Sequence, residues 1–188
     1  MNNNTPLFFP ATFPIIDSSN EYFLREQSVE DAESFLSYYS DPSVSRYILA
    51  EIPSTVTEAK NEVLYCRELF YAKTGIYWSL ANKKTNLMIG AIGLYVRSTH
   101  TLEICYDLDK QYWRQGIMTK ALSTVINYAA TTMKAKELFA ITMKENTASI
   151  LLLEKLGFKH HQSLEASRYH KGVFHTVEKY TLTLKAKK

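Results

Sequence analysis

The sequence predicts a single α/β domain built on a mixed, mostly antiparallel sheet of six to seven strands, flanked by about four helices. Three observations carry this expectation. Three strand-like runs follow one another between Ile76 and Leu108 with only short polar turns between them, the signature of an antiparallel meander. Helix-like and strand-like runs then alternate from Ile117 to Leu184, as they do in mixed α/β sheets. The 188 residues suffice for one compact domain with a real core, and a composition 46% hydrophobic and 22% charged reads as globular rather than disordered.

Residues 1–20 are Asn-rich, then Pro-rich, and read as an irregular arm before a domain spanning 21–185. Glu21 to Glu26 is a first strand. Ser28 followed by Asp31 predicts a helix start with Ser28 as N-cap, and Ala32, Phe35, Leu36 and Tyr39 continue as a helical apolar stripe until Pro42 ends it. Thr57 to Ala72 is a second helix with Ala59, Val63 and Phe70 inward. The meander is Ile76 to Ala81, Met88 to Val96 and Thr101 to Leu108, joined by Asn82 to Asn86 and by Arg97 to His100. Ile117 to Thr131 is a helix with Ala121, Leu122, Val125, Ile126 and Ala129 on one face. Glu137 to Met143 is a strand, and Thr147 to Leu156 a helix stopped by Gly157. Two strands follow Phe158, the last running from about Val173 to Leu184.

Composition bounds the function. A formal charge of +3 is too small and too scattered to point to nucleic acid, and the only basic cluster is the tail, Lys185 to Lys188 with 186–188 beyond the domain. Cys66 and Cys105 make neither a disulfide framework nor a metal site, and Cys105 in a strand reads as a small core residue. The adjacent His160 and His161 point to opposite faces of a strand and do not share an ion. No run is long and apolar enough to span a membrane, and Pro10 and Pro14 interrupt the apolar stretch from Leu7 to Ile16. The expectation is a cytoplasmic protein without a metal, acting on neither nucleic acid nor membrane, as a monomer or homodimer.

The most informative stretch is Tyr112-Trp113-Arg114-Gln115-Gly116-Ile117-Met118-Thr119, between a strand and a helix. The first N–H groups of a helix lack intrahelical partners and carry the positive end of its dipole. Gly116 lets backbone approach a ligand, and Arg114 adds a guanidinium suited to phosphate. The segment reads as a pyrophosphate cradle or, with nothing else beside it, as an ordinary strand-to-helix turn.

Further motifs accompany it. Arg114-Gln115-Gly116-Ile117-Met118-Thr119, with Trp113 in front, resembles the acetyl-CoA loop of the GNAT N-acetyltransferases. Glu145-Asn146-Thr147-Ala148-Ser149 and Leu153-Glu154-Lys155-Leu156-Gly157-Phe158 resemble the RimJ/RimL-type branch, whose best-known members acetylate protein N-termini. Asp41 to Tyr47, Ile89 to Leu94 and Glu103 to Tyr106 fall in that branch's order, so the resemblance runs from about Tyr22 to Leu184.

This resemblance implies a sheet splayed at its centre, between the strand of Glu103 and the strand of Ala140. It implies acetyl-CoA in the gap as co-substrate, with its pantetheine on the backbone of Tyr106, Asp107 and Leu108. Its pyrophosphate would lie on Arg114, Gln115, Gly116, Ile117, Met118 and Thr119. Asn146 suits two compatible roles, N-cap of the helix after it and amide partner of the pantetheine. Glu103 is the candidate general base, a strand carboxylate on the same face as Cys105 and Asp107; a solvated strand end is the alternative.

Many GNAT enzymes place a Tyr proton donor where Leu153 stands, so the remaining candidate acid is Ser149, whose hydroxyl can instead serve the helix start. Thr176 stands where the branch often has Asp, which bears on acceptor recognition. Tyr38, Tyr39, Tyr47, Tyr65, Phe70 and Tyr71 read mainly as helix packing, some lining an acceptor groove. The preferred acceptor is a protein or peptide α-amine, whose pKa near ~8 makes it easier to deprotonate than a lysine near ~10.4. A small amine such as a polyamine, aminoglycoside or amino-acid derivative is the alternative acceptor, and a non-catalytic acyl-CoA-binding module the alternative class.

Overall fold

Eight strands form one sheet in the order β1-β2-β3-β4-β5-β6-β8-β7. The computed structural model describes residues 6–170 and 172–184, so the first five residues of the arm and the basic tail lie outside the described residues. The strands are β1 (Ile16–Asp17), β2 (Tyr22–Glu26), β3 (Gly75–Asn82), β4 (Met88–Val96), β5 (Thr101–Leu108), β6 (Glu137–Met143), β7 (Lys159–His170) and β8 (Val173–Thr183). The helices are α1 (Asp31–Tyr39), α2 (Pro42–Ser45), α3 (Val56–Tyr71), α4 (Ile117–Thr131) and α5 (Thr147–Lys155).

The feature that positions a site is the single parallel pairing. β5 pairs with β6 only over Thr101–Glu137, Leu102–Leu138 and Glu103–Phe139. Beyond Glu103 each strand keeps its outer partner: β5 stays on β4 as far as Leu108–Gly90, and β6 stays on β8 as far as Met143–Val177. The sheet therefore opens at its centre as expected. The parted strands each expose a row of backbone donors and acceptors that neither satisfies for the other.

Side-chain alternation puts two cores on the two faces of the sheet. Leu102 and Ile104 of β5 join Trp78, Ile92 and Leu94 against Ala121, Leu122 and Val125 of α4. On the other face Met88 and Ala91 of β4 pack with Ala32, Phe35, Tyr38 and Tyr39 of α1 and Ala59 of α3. Glu103, Cys105 and Asp107 project toward this second face.

Two local readings are corrected. Ser28 is not the N-cap of α1: Glu30 holds that position in a helical conformation, without a side-chain cap bond. The Asp31 carboxylate takes the Ser28 N–H at 2.9 Å, and also accepts from Arg25 at 2.7 Å through both nitrogens and from Ser79 Oγ at 2.7 Å. Arg25, six residues before it, and the distant Ser79 thus share with the Ser28 N–H an acid that local sequence assigned to a cap. Pro42 ends α1 but also opens α2, because proline at the first helical position loses no needed N–H and Asp41 Oδ1 accepts from the Ser43 N–H at 2.8 Å. This helix and the two-residue strand β1 bring the described count to five helices and eight strands. Within the arm, Phe13 packs against Phe70 and Trp78, and the Trp78 indole donates to the Pro14 carbonyl at 2.8 Å.

Candidate active site

The opening between β5 and β6 leads into a cleft of about 1000 Å³, large enough for a drug-sized or longer ligand. Its floor is Ile104 to Leu108 on one side and Ala140 to Thr142 on the other. The start of α4 closes one end, the start of α5 one wall, and α3 with the α2–α3 connection the far end. Of the residues singled out from the sequence, the lining includes Glu103, Tyr106, Asp107, Leu108, Arg114, Gly116, Ile117, Met118, Thr119, Asn146 and Ser149. Gln115 is not part of it; its side-chain amide donates to the Gln111 carbonyl at 2.8 Å.

The α4 end presents a glycine-led helix start to the cleft. A 3-10 turn, Lys110–Tyr112, follows β5, and Asp109 caps it by accepting from the Gln111 N–H at 3.0 Å. The Trp113 indole then donates to the Leu108 carbonyl at 2.8 Å and ties the loop back to the end of β5. Gly116 sits at the N-cap with φ 75°, without a side-chain cap bond, so the first-turn N–H groups of a 15-residue helix face the cleft bare. A Cβ on Gly116 would meet nothing within 4 Å; glycine is required there for its backbone conformation, not for room.

Arg114 also has a positive φ, 60°, a conformation that strains a residue with a Cβ by roughly 1 kcal/mol or more. Strain kept at a cleft lip suggests that the side chain matters there. Arg114→Gly is expected to leave the melting temperature unchanged or slightly raised, while weakening binding of the anionic ligand about tenfold, the loss of one charge-assisted contact. Thermal unfolding and ligand titration on the same sample check both directions.

Glu103 lies at the fork, the last β5 residue paired with β6. Its Oε2 accepts from Arg97 Nε at 2.7 Å and Nη2 at 2.6 Å, and its side chain is 15% exposed. Arg97, whose guanidinium also lies 5.2 Å from the Tyr95 ring centroid, was not singled out from sequence. The β4–β5 hairpin brings it beside Glu103, so an arginine six residues before a strand glutamate was the available signal.

Across the fork, Asn146 caps α5 by accepting from the Ser149 N–H at 3.2 Å. Tyr106 reaches from β5 to the same turn, its Oη 2.9 Å from Ser149 Oγ. Burial pushes the Tyr106 phenol up to about 12, against the pull of the Ser149 bond. Sequence reasoning assigned Tyr106 through its backbone alone; that its hydroxyl meets Ser149 depends on the spacing of two elements 43 residues apart. Leu153 is buried in the core, away from this lining.

Asp107 is locked beneath the cleft. Tyr38 Oη donates to its Oδ1 at 2.7 Å and Tyr39 Oη to its Oδ2 at 3.0 Å, fixing α1 to β5. Burial raises its carboxyl from 3.8 to about 6, while the tyrosine bonds and the Ala91 N–H pull the other way. The folded protein therefore holds this proton through a window, between pH 4 and 6, in which the unfolded chain has lost it. The contribution to stability is complete below pH 4 and falls away as pH rises through 6, by about 3 kcal/mol at ~1.36 kcal/mol per unit. In Asp107→Asn this loss is expected to vanish, so the gap in melting temperature between pH 5 and pH 7.5 shifts toward greater relative stability at pH 7.5; an identical pH dependence would refute it.

Other residues fall outside the reacting end. Both thiols are pushed up by burial, Cys105 to about 12, and fit core packing rather than nucleophilic use. His160 Nε2 pairs with Glu178 at 2.6 Å. Thr176 does not line the cleft. Among the described residues no helix is long and apolar enough to cross a membrane.

A splayed sheet, a helix N-terminus at one end of the gap and a strand carboxylate at its fork make up this cleft. Residues 22–159 match the acetyltransferase (GNAT) domain family. The chain belongs to that family and is an N-acetyltransferase. It is 27% identical to the uncharacterized N-acetyltransferase YoaA of Bacillus subtilis (strain 168), over 90% of this chain and 97% of that protein. It is 30% identical to the uncharacterized N-acetyltransferase p20 of Bacillus licheniformis, over 72% of this chain and 78% of that one. Among solved structures, RimL, the ribosomal L7/L12 alpha-N-protein acetyltransferase in complex with coenzyme A, superposes with TM-score 0.83 at 18% identity. That match covers 93% of this chain and 100% of RimL. The ribosomal-protein-S5-alanine acetyltransferase of Vibrio fischeri has TM-score 0.78 at 18% identity, over 90% and 96% of the two chains.

Proposed function

We propose that the protein transfers the acetyl group of acetyl-CoA to a primary amine, a protein or peptide N-terminal α-amine, by direct attack in a ternary complex. The observation that carries this reading is the cleft itself, which has an anion-ready helix start at one end and Glu103 and Ser149 on opposite sides of the fork. Pantetheine would run along the unpaired edge of β5 at Tyr106, Asp107 and Leu108, with Asn146 beside it. The pyrophosphate would rest on the first turn of α4, at Gly116 to Thr119, with Arg114.

The amine must lose a proton to become a nucleophile, and Glu103 is the carboxylate to receive it, directly or through water. The new N–C bond forms as the C–S bond breaks, and a thiolate leaves. The Tyr106 phenol, at about 12, is a weaker acid than a thiol near ~8.5, so outright protonation from it is uphill. The Tyr106–Ser149 pair instead stabilises the leaving sulfur by hydrogen bonding, which serves where Leu153 offers no phenol.

Initial rates measured over a grid of acetyl-CoA and amidated-peptide concentrations test this. Intersecting double-reciprocal lines are expected for a ternary complex. Parallel lines, with acetyl label left on the protein, would contradict direct attack.

A further inference from the structure

The cleft is electrostatically polarised. At the α4 end stand the bare helix N-terminus and Arg114, which makes no ion pair within 4 Å among the described residues. At the α3 end carboxylates outnumber cations, Glu51, Glu62 and Glu103 against Arg46 and Arg97. Arg97 is held by Glu103, and Arg46 lies over the Tyr47 ring at 5.2 Å. Glu62 of α3, in the same lining, has no ion-pair partner among the described residues; its carboxylate accepts from Cys66 Sγ–H at 3.8 Å, a weak donor.

Glu62 is partly buried. Burial pushes its carboxyl above the usual range and the Cys66 bond opposes this only weakly. A carboxylate partly withdrawn from water and left without a cation is destabilised, and an arriving cation offsets that penalty. The rings of Tyr47 and Tyr95 already face Arg46 and Arg97, but the Tyr65 ring shares this end of the lining, and aromatic faces attract ammonium groups as carboxylates do.

We propose that Glu62 is the acceptor-recognition carboxylate, taking a primary amine that enters as an ammonium ion between α3 and the β4–β5 hairpin. The site favours amines with no carboxylate beside the reacting nitrogen, because the unpaired Glu62 would repel one. This deepens the reading of the cleft as an amine acetyltransferase site by naming the class of acceptor. The α-ammonium of a peptide and the end of an aliphatic diamine share this chemistry; a free amino acid does not.

The test is calorimetric titration of the full chain, with and without CoA, using tri-alanine amide, its N-acetylated counterpart, putrescine and free alanine. Wild type, Glu62→Gln and Glu62→Asp are compared. The peptide amide or putrescine should bind wild type, bind Glu62→Gln about ten- to a hundredfold more weakly, and recover partly in Glu62→Asp. CoA affinity and melting temperature should be unchanged in both variants. Equal binding to wild type and Glu62→Gln, binding of the N-acetylated peptide or free alanine as tight as that of the cationic probes, or no binding of either cationic probe to wild type would overturn the assignment. CoA binding without cation binding leaves the acyl-CoA reading standing and removes this one. Glu62-dependent cation binding without CoA binding does the reverse.

Discussion

Glu103→Gln is expected to lower kcat about 10²- to 10³-fold at neutral pH, within the range for loss of a general base, while the acetyl-CoA KM and the melting temperature stay near wild type. Glutamine keeps the shape and one oxygen for Arg97 but cannot take a proton. The ion pair it dismantles involves an arginine side chain that is 49% exposed, so its contribution to stability is no more than about 1 kcal/mol. The deficit should shrink as pH rises toward ~8 and above, because free amine then becomes abundant without a base. A variant with wild-type kcat across the pH range would remove Glu103 from the chemistry and leave it as an anchor for Arg97.

Gly90→Ala should produce the largest structural effect. A Cβ at Gly90 would stand 2.5 Å from the Asp107 carbonyl oxygen and 3.0 Å from the Leu108 Cα, both backbone atoms of β5. No rotamer change relieves such a contact; β4 and β5 must separate where β5 forms the lip of the cleft. Overpacking of this kind costs about 2–3 kcal/mol, and the melting temperature of a chain this size should fall by about 5–10 °C. Acetyl-CoA affinity should fall with it, because the backbone that moves is the proposed pantetheine edge. Gly116→Ala provides the contrast: open space, a positive φ, and a penalty of only about 1 kcal/mol. Equal melting temperatures for the two variants would mean that close approach of β4 and β5 is not what Gly90 provides.

Much of this arrangement can be read along the chain because it depends on local chemistry. Polar turns between alternating strands gave the meander, and a glycine at a helix start gave the anion end. An Asn before Thr147 gave the α5 cap, observed at 3.2 Å to the Ser149 N–H. What escaped reading depends on pairs distant in sequence. Asp107 lies 69 and 68 residues from the two tyrosines that hold it, so those rings read as helix packing. Asp31 looked like part of a cap because nothing nearby reveals Ser79 beneath it. The meeting of Tyr106 with Ser149 and the isolation of Glu62 follow from how α3 and α5 pack on the sheet, which periodicity does not encode. Arg97 was within local reach, six residues from Glu103 across a hairpin turn, but arginine in a polar turn looks solvated until the register is known.

Acetyl transfer is tested by incubating the purified protein with acetyl-CoA and a panel of N-terminal peptides, polyamines and aminoglycosides, following thiol release and the mass of each acceptor. Release of CoA that depends on acceptor, matched one for one by acetylation of the α-amine of at least one peptide, is the expected result. Confirmed acetyl-CoA binding with no acetylated amine anywhere in the panel would contradict it and favour a module that holds acyl-CoA without turning it over.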